Sequence, residues 1–285
     1  MYQKYYSLTR KAFEMSPDPY FYFPTPLHNE AMATLYYGVQ MRKGFVVVTG
    51  EVGTGKTLLV RCLLDSLTLH KIAFAFVYNP VLSVSGFLAH VLTDLGLPSV
   101  ARYKVRMLAQ LNHYLLERSS RGETTALVID EAQLLSWELL EEIRLLTNLE
   151  TSQNKLLQIV LVGQPELDHI LDSHKLRQLK QRIGMRCRLE PLGRETVRGY
   201  VRRPELAGAN FGGAAIFPDE TIGTVYQFSQ GIPRLVNTLC ENALISGFEE
   251  GNKVPELMTR KMERWYGTFE QATANPDIEA RINPQ

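Results

Sequence analysis

The sequence has few cysteines, no long apolar run and almost no net charge, and each of these shortages excludes a class of protein. The three cysteines, Cys62, Cys187 and Cys240, lie far apart and form no C-x-x-C pair. This excludes a disulfide-built secreted domain and a paired-cysteine zinc site. No segment approaches the roughly 20 consecutive apolar residues of a membrane span, and the N-terminus lacks the apolar stretch of a signal peptide. We therefore expect reduced cysteines, a cytoplasmic location and no transmembrane segment, with any membrane role coming through a partner.

The charges nearly balance, because the formal net charge is +1. No overall field therefore draws the chain toward nucleic acid or anionic lipid, although a local basic patch is compatible with this total. The chain of 285 residues is long enough for one large domain or two modest ones. Composition thus predicts a globular protein, and its function has to be inferred from motifs.

One segment has the pattern of a loop that binds nucleoside triphosphates. It reads Gly50-Glu51-Val52-Gly53-Thr54-Gly55-Lys56-Thr57. This matches G-x-x-x-x-G-K-[ST] in full, between a β-branched run and a helical pattern, and in that context successive backbone N–H groups can surround a phosphate chain. We expect Lys56 to reach the β- and γ-phosphates and the Thr57 hydroxyl to ligate Mg²⁺.

An apolar run that ends in Asp130 and Glu131 predicts the second half of the same site. Both acids would lie at the carboxyl edge of a parallel sheet, where ligands of open α/β sheets bind. We expect Asp130 to hold Mg²⁺ through water and Glu131 to polarise the water that attacks the γ-phosphate. The adjacent acids favour hydrolysis over phosphorylation of a second substrate; a solvated strand end is the alternative.

Two amides follow other predicted strands. If the fourth strand lies between the first and the third, Gln164 points toward the γ-phosphate, where it could orient the attacking water or report the nucleotide state. The alternative is a turn residue that caps the next helix. Asn79 ends the second strand and could hold Glu131 inactive, or simply form a turn before Pro80.

A basic segment between Lys175 and Arg188 contains no acid. Arg182, with Arg177 as the second choice, is the candidate for an arginine finger that reaches a neighbouring subunit and neutralises charge in the transition state. A solvated helix face and a phosphate-contacting patch for nucleic acid are the alternatives.

Another arginine follows the sequence Gly231-Ile232-Pro233. Proline at a first helical position would project Arg234 from the start of a helix. From a lid folded over the nucleotide, Arg234 could contact the γ-phosphate through two hydrogen bonds; otherwise it is a surface arginine.

Alternating strands and helices predict an α/β fold, a three-layer P-loop NTPase domain with a parallel five-stranded sheet. The expected strands are residues 45–49, 72–78, 126–130, 157–162 and 185–189. After Pro191 we expect only helices, at 195–207, 219–229, 233–249 and 255–266. This places a nucleotide-binding domain at 1–190, including an N-terminal segment at 1–43, an all-helical lid domain at 191–266 and a disordered tail at 267–285.

These elements resemble, in their order, the AAA+ ATPases, and more narrowly the ATPase core of the general secretion pathway protein A (ExeA-type) family. The resemblance rests on the glycine loop and on further segments, among them Ser16-Pro17-Asp18-Pro19, Asp130-Glu131-Ala132-Gln133, Gly163-Gln164-Pro165-Glu166-Leu167 and Leu176-Arg177-Gln178-Leu179-Lys180-Gln181-Arg182-Ile183. It implies ATP as the nucleotide, a homo-oligomer, ring-shaped or otherwise, and hydrolysis at subunit interfaces. It makes Gln164 the first sensor, Arg182 the finger and Arg234 the second sensor; Tyr22, Phe23 and His28 are candidates for the base pocket.

The resemblance also implies a function: ATP hydrolysis that drives assembly or remodelling of a partner complex in secretion or the cell envelope. The partner would be an inner-membrane component, with the protein peripheral at that membrane. The alternative is an ATP-gated, DNA-binding regulator of transposition target selection. The sequence lacks the membrane span and peptidoglycan-binding region of secretion members, so we do not expect direct cell-wall binding. Pro204 interrupts a helix that the family has as continuous, which predicts a kink or restart in the lid.

Overall fold

The computed structural model describes residues 2–249 apart from 12, 15, 17, 99–102, 152–153, 204–209 and 212–213. The chain forms two compact units, one of Pro17–Glu190 and one of Met1–Ser16 together with the described residues from Pro191 onward. From the sequence we had expected residues 1–43 to belong wholly to the nucleotide-binding domain. The expected kink at Pro204, the helix at 255–266 and the tail at 267–285 lie outside the described residues.

The first unit is built on five parallel strands, which confirms the expected fold class. They are β1 Phe45–Gly50, β2 Ala73–Val77, β3 Thr125–Ile129, β4 Gln158–Gly163 and β5 Met185–Leu189. Their order is β2-β3-β4-β1-β5, and all four pairings are parallel. β4 therefore lies between β1 and β3, the condition under which Gln164 was expected to approach the phosphate site.

Helices and short 3₁₀ turns connect the strands. The helices of the described residues are α1 Tyr2–Tyr5, α2 Pro26–Gln40, α3 Lys56–Leu69, α4 Val84–Asp94, α5 Lys104–Ser120, α6 Trp137–Leu146, α7 Glu166–Leu171, α8 Arg177–Lys180, α9 Arg194–Val201, α10 Asp219–Ser229 and α11 Pro233–Glu249. The 3₁₀ turns are Pro19–Phe21, Ala132–Leu134 and His174–Leu176. Helix α6 begins at Trp137 because the Ser136 hydroxyl caps it by accepting a hydrogen bond from the Leu139 N–H.

Both faces of the sheet are covered, as continuous apolar strands require. Val47 and Ile129 belong to a core cluster with α4, α5 and α6, whereas Val46 and Val128 belong to a second cluster with α2 and α3. Helix α2 packs closely on β1, because a Cβ atom at Gly38 would lie 2.3 Å from the Val46 Cγ2 atom. This packing brings the N-terminus of α2 to the same side of the sheet as α3.

The second unit contains α1, α9, α10 and α11. The bounds of α10 and α11 agree with the helices expected at 219–229 and 233–249. A short antiparallel ladder, β6 Asn210–Phe211 with β7 Ala214–Ala215, corrects the expectation that only helices would occur here. The Gly212-Gly213 pair between these strands is a hairpin signal that could have predicted the ladder. Across the described ranges, no helix combines the length and apolar character that crossing a bilayer requires.

Candidate nucleotide-binding site

The glycine loop, residues 50–57, joins the end of β1 to the start of α3. Gly53 and Gly55 have φ angles of 82° and 100°, a region that glycine adopts without steric cost. A Cβ atom at Gly50 would lie 2.7 Å from the Leu189 carbonyl oxygen, so this position also requires glycine. Gly55 is the N-cap of α3, and the positive end of the helix dipole therefore lies at the loop. Within the described part of the chain, the N–H groups of Gly55 and Thr57 donate to no other group.

Lys56 lies inside the curve of this loop and is only 7% exposed. Its Nζ donates to the carbonyl oxygens of Gly50 at 2.7 Å and Glu51 at 2.9 Å. The Thr54 hydroxyl donates to the same Glu51 carbonyl at 2.7 Å. Glu51 and Val52 form the exposed tip of the loop. The loop is thus bent around a buried cation, a shape that suits a phosphate chain.

His28 supports the loop from α2. Its Nε2 lies 3.0 Å from the Thr54 carbonyl oxygen, and its Nδ1 lies 2.7 Å from the Thr25 Oγ1. Because a carbonyl oxygen can only accept, Nε2 carries the proton and the Thr25 hydroxyl donates to Nδ1. Burial lowers the pKa of His28, which agrees with this neutral ring. His28 was a candidate for the base pocket, whereas the structure packs its ring against the loop backbone.

Thr57 and Asp130 meet beside the loop, which joins the two expected halves of the site. The Thr57 hydroxyl donates to Asp130 Oδ2 at 3.1 Å, and the Glu131 N–H donates to Asp130 Oδ1 at 2.9 Å. Burial raises the pKa of Asp130, and these two hydrogen bonds partly oppose that effect.

The donor set at this point fits Mg²⁺. A carboxylate and a hydroxyl are the hard oxygen ligands that this ion prefers, and it is commonly completed by phosphates and water. Among the residues that the structure describes, no three His, Cys, Asp or Glu side chains cluster into a site that could hold a metal ion without such help. An ion held by Thr57 and Asp130 would therefore take its other ligands from a nucleotide and from solvent.

Glu131 and Gln164 are also brought together, at the ends of β3 and β4. Glu131 Oε2 accepts hydrogen bonds from Gln133 Nε2 at 2.6 Å and from Gln164 Nε2 at 3.3 Å. Gln133 belongs to this hydrogen-bonded group. The sequence analysis did not single it out as a site residue, because it appeared there only within a family motif. Asn79 does not contact Glu131 here; its Oδ1 accepts from the Val81 N–H at 3.3 Å, which is the turn alternative.

The basic segment is largely paired within its own unit. Arg186 lies 3.6 Å from Asp168 and 3.5 Å from Asp172, and Lys180 lies 2.9 Å from Asp172. Asp168 lies in α7 and Asp172 directly follows that helix. Both acids lie outside residues 175–188, so the sequence of the basic segment did not reveal these ion pairs.

The two candidate finger arginines differ in their surroundings. Arg182 Nη1 donates to the Thr147 hydroxyl and is half-buried. Arg177, at the start of α8, is exposed, and in the described part of the chain it forms no hydrogen bond or ion pair through its side chain. Arg234 follows Pro233 at the start of α11 as expected, is exposed, and belongs to the second unit.

The fold and this loop define a class of protein, and comparison with known proteins agrees. The AAA domain family matches residues 39–171. Among solved structures, the chain resembles Cdc6p from Pyrobaculum aerophilum, with a TM-score of 0.60 and 18% identity over 85% of this chain and 66% of that chain. It also resembles the RuvB Holliday junction branch migration motor of Thermotoga maritima, with a TM-score of 0.57 and 17% identity over 90% of this chain and 73% of that one. At such identities these structures support the fold alone.

A curated relative shows a similarity that extends over most of this chain. The chain is 42% identical to general secretion pathway protein A of Aeromonas hydrophila over 254 residues, which is 88% of this chain and 46% of the relative. The chain is thus similar over most of its length to general secretion pathway protein A, as the motifs indicated, and part of it matches the AAA domain family. It spans about half the length of that relative.

We predict that Asp130→Asn raises the thermal unfolding midpoint of the nucleotide-free protein at neutral pH. The folded state holds the Asp130 proton more tightly than the unfolded state does, so stability falls as pH rises from the unfolded pKa of about 3.9 through the raised folded pKa. The gain from the amide should therefore be absent near pH 4 and grow as pH rises above it. Thermal melts across this range measure the gain, and Glu131→Gln, at the neighbouring and partly exposed carboxylate, is the matched control. A lower midpoint for Asp130→Asn at neutral pH would contradict a raised pKa of Asp130 in the folded state.

Proposed function

We propose that this protein binds ATP with Mg²⁺ at residues 50–57 and hydrolyses it, with Glu131 as the general base. The observation that carries the proposal is the contact between Thr57 and Asp130, which joins the glycine loop to the acidic end of β3. A phosphate-binding loop alone would support binding; the adjacent Glu131, held by two amide donors, supports hydrolysis.

The residues of the loop bind and orient the phosphates. The N–H groups at the start of α3 donate to phosphate oxygens, and Lys56 exchanges its bonds to the Gly50 and Glu51 carbonyls for bonds to the β- and γ-phosphates. Thr57 and Asp130 hold the magnesium ion, which when bound neutralises charge on the phosphate oxygens.

Glu131 accepts a proton from the water that attacks the γ-phosphate. General-base action of this kind contributes about 10²–10⁴-fold to a rate. Gln164, whose amide already reaches the Glu131 carboxylate, orients that water or reports whether the γ-phosphate is present. Arg234 is the second sensor that the family resemblance implies.

We further propose that the protein acts as a homo-oligomer, with an arginine supplied by the neighbouring subunit. Arg182 would have to leave Thr147 to reach across, whereas Arg177 is exposed and can do so without breaking a bond. This difference supports Arg177 over Arg182 as the finger. Nucleotide state would then control assembly or remodelling of a partner complex, and similarity to general secretion pathway protein A supports a secretion or envelope component as that partner.

DNA binding by the basic segment receives less support. Arg186 and Lys180 are paired with Asp168 and Asp172, so fewer cations are available for phosphates than the sequence suggests. RuvB is described as a Holliday junction motor, but the similarity to this chain extends to the fold alone.

We predict that Glu131→Gln retains ATP affinity within about twofold and lowers turnover about 100-fold or more, because the amide cannot accept the proton of the attacking water. Binding of a fluorescent ATP analogue and release of phosphate are the two measurements. Lys56→Ala is the matched control, since it should lose binding as well as turnover. Unchanged turnover in Glu131→Gln would refute the assignment of the general base.

We predict that ATP turnover per subunit rises with protein concentration, because the active site is completed by a neighbouring subunit. Arg177→Ala should abolish this rise and lower turnover by at least 10³-fold at saturating protein. Arg182→Ala is the comparison: a larger loss there would identify Arg182 as the finger instead. Turnover that is independent of concentration would rule out completion in trans, and strong stimulation by duplex DNA would favour the transposition alternative.

A further inference from the structure

We infer that Gln133 is a positioning residue: it holds the carboxylate of Glu131 and ties it to the main chain at the end of β4. This inference rests on the proposed role of Glu131 in hydrolysis. Gln133 Nε2 donates to Glu131 Oε2 at 2.6 Å, and Gln133 Oε1 accepts from the Gln164 backbone N–H at 2.9 Å. One amide side chain therefore links the proposed base to the proposed sensor.

The orientation of this amide follows from its partners. A backbone N–H can only donate, so the atom that faces Gln164 N must be the Gln133 oxygen. The Gln133 nitrogen then faces Glu131, whose carboxylate can only accept when ionised. The second donor, Gln164 Nε2, lies farther from Glu131 Oε2, at 3.3 Å. Gln133 is therefore the principal donor to Glu131 in this arrangement.

The backbone around Gln133 is shaped to return its side chain to Glu131. Glu131 has a φ of 51°, a left-handed conformation that is uncommon for residues other than glycine, and the 3₁₀ turn Ala132–Leu134 follows directly. Gly163, at the end of β4, leaves room for the approach, because a Cβ atom there would lie 2.9 Å from Gln133 Oε1 and 3.3 Å from Gln133 N. Buried Ala132 and Leu135 anchor the turn in the core.

This arrangement leaves one oxygen of the base available. In the described part of the chain, both hydrogen bonds to the Glu131 side chain go to Oε2. Oε1 is the oxygen that can take a proton from water, while Gln133 prevents rotation of the carboxylate. Since the Gln164 N–H holds the other end of the Gln133 amide, a movement at the end of β4 changes the position of Glu131 as well.

Two variants separate positioning from a structural role. Gln133→Met keeps the length of the side chain but removes donor and acceptor; we expect ATP affinity within about twofold, an unchanged KM and a kcat lower by roughly 10-fold to 100-fold, a part of what a general base supplies. Gln133→Glu keeps an acceptor for the Gln164 N–H but removes the amide donor to Glu131, so its kcat should also fall.

Hydrogen exchange of the nucleotide-free protein gives a readout independent of turnover. Loss of the acceptor in Gln133→Met should speed exchange at the Gln164 amide by about tenfold, and Gln133→Glu should preserve its protection. Unchanged exchange at the Gln164 amide in Gln133→Met, an unchanged kcat in that variant, or a loss of ATP binding parallel to the loss of kcat would each overturn the positioning role.

Failure of the proposed function would give a different set of results from failure of the positioning role alone. If Glu131→Gln turned over ATP at the native rate, or the native protein had no turnover under any condition tried, hydrolysis by Glu131 would be wrong and the role of Gln133 would fall with it. If Glu131→Gln were inactive and Gln133→Met fully active, only the positioning role would be wrong.

Discussion

The hydrogen bond from the Thr57 hydroxyl to the Asp130 carboxylate is the contact on which the candidate site depends. β1 and β3 are separated by β4, so two strand spacings of about 4.8 Å each lie between their ends. The glycine loop carries α3 across this gap, and Thr57 in its first turn reaches Asp130. Without that contact the loop would be an isolated anion site, and the acids at the end of β3 would be a separate strand end. With it, the glycine loop, the proposed magnesium ligands and the proposed base lie at one edge of the sheet.

The site is held in place by bonds that a nucleotide would exchange or strengthen. Lys56 is buried and bonded to the carbonyls of its own loop, while burial makes the charged form of Asp130 unfavourable. Burial of the charged Asp130 carboxylate costs stability, and functional sites commonly carry such a cost. The neutral ring of His28 donates a hydrogen bond to the Thr54 carbonyl of the same loop. It therefore supports the bent backbone without introducing a further charge. Lys56 and Asp130 are both buried, and the charge of Lys56 partly offsets the effect of burial on the Asp130 carboxylate.

The sequence could predict the parts of the site that depend on local backbone geometry, and it was weaker where distant elements meet. The loop at 50–57 and the strand ending at Asp130 were readable because glycine spacing and β-branched runs restrict the backbone directly. The proposed role of Gln133 depends on the left-handed backbone conformation of Glu131, and the residue types at this point do not predict that conformation. The pairing of Arg186 with Asp168 depends on the direction of α7, and the grouping of residues up to Ser16 with the second unit depends on tertiary packing. The proposed partner rests on similarity to general secretion pathway protein A rather than on the geometry of the site.

The central claim is that Thr57 and Asp130 act together on a magnesium–nucleotide complex, and a double-mutant cycle tests it most directly. The affinity for a fluorescent ATP analogue would be measured for the native protein, Thr57→Val, Asp130→Asn and the double variant, with Mg²⁺ and with EDTA. We expect a coupling of about 1 kcal/mol or more between the two sites with Mg²⁺, in the range for residues that share a ligand, and none with EDTA. Additive losses in the presence of Mg²⁺, or an equal coupling in EDTA, would contradict a shared metal–nucleotide site.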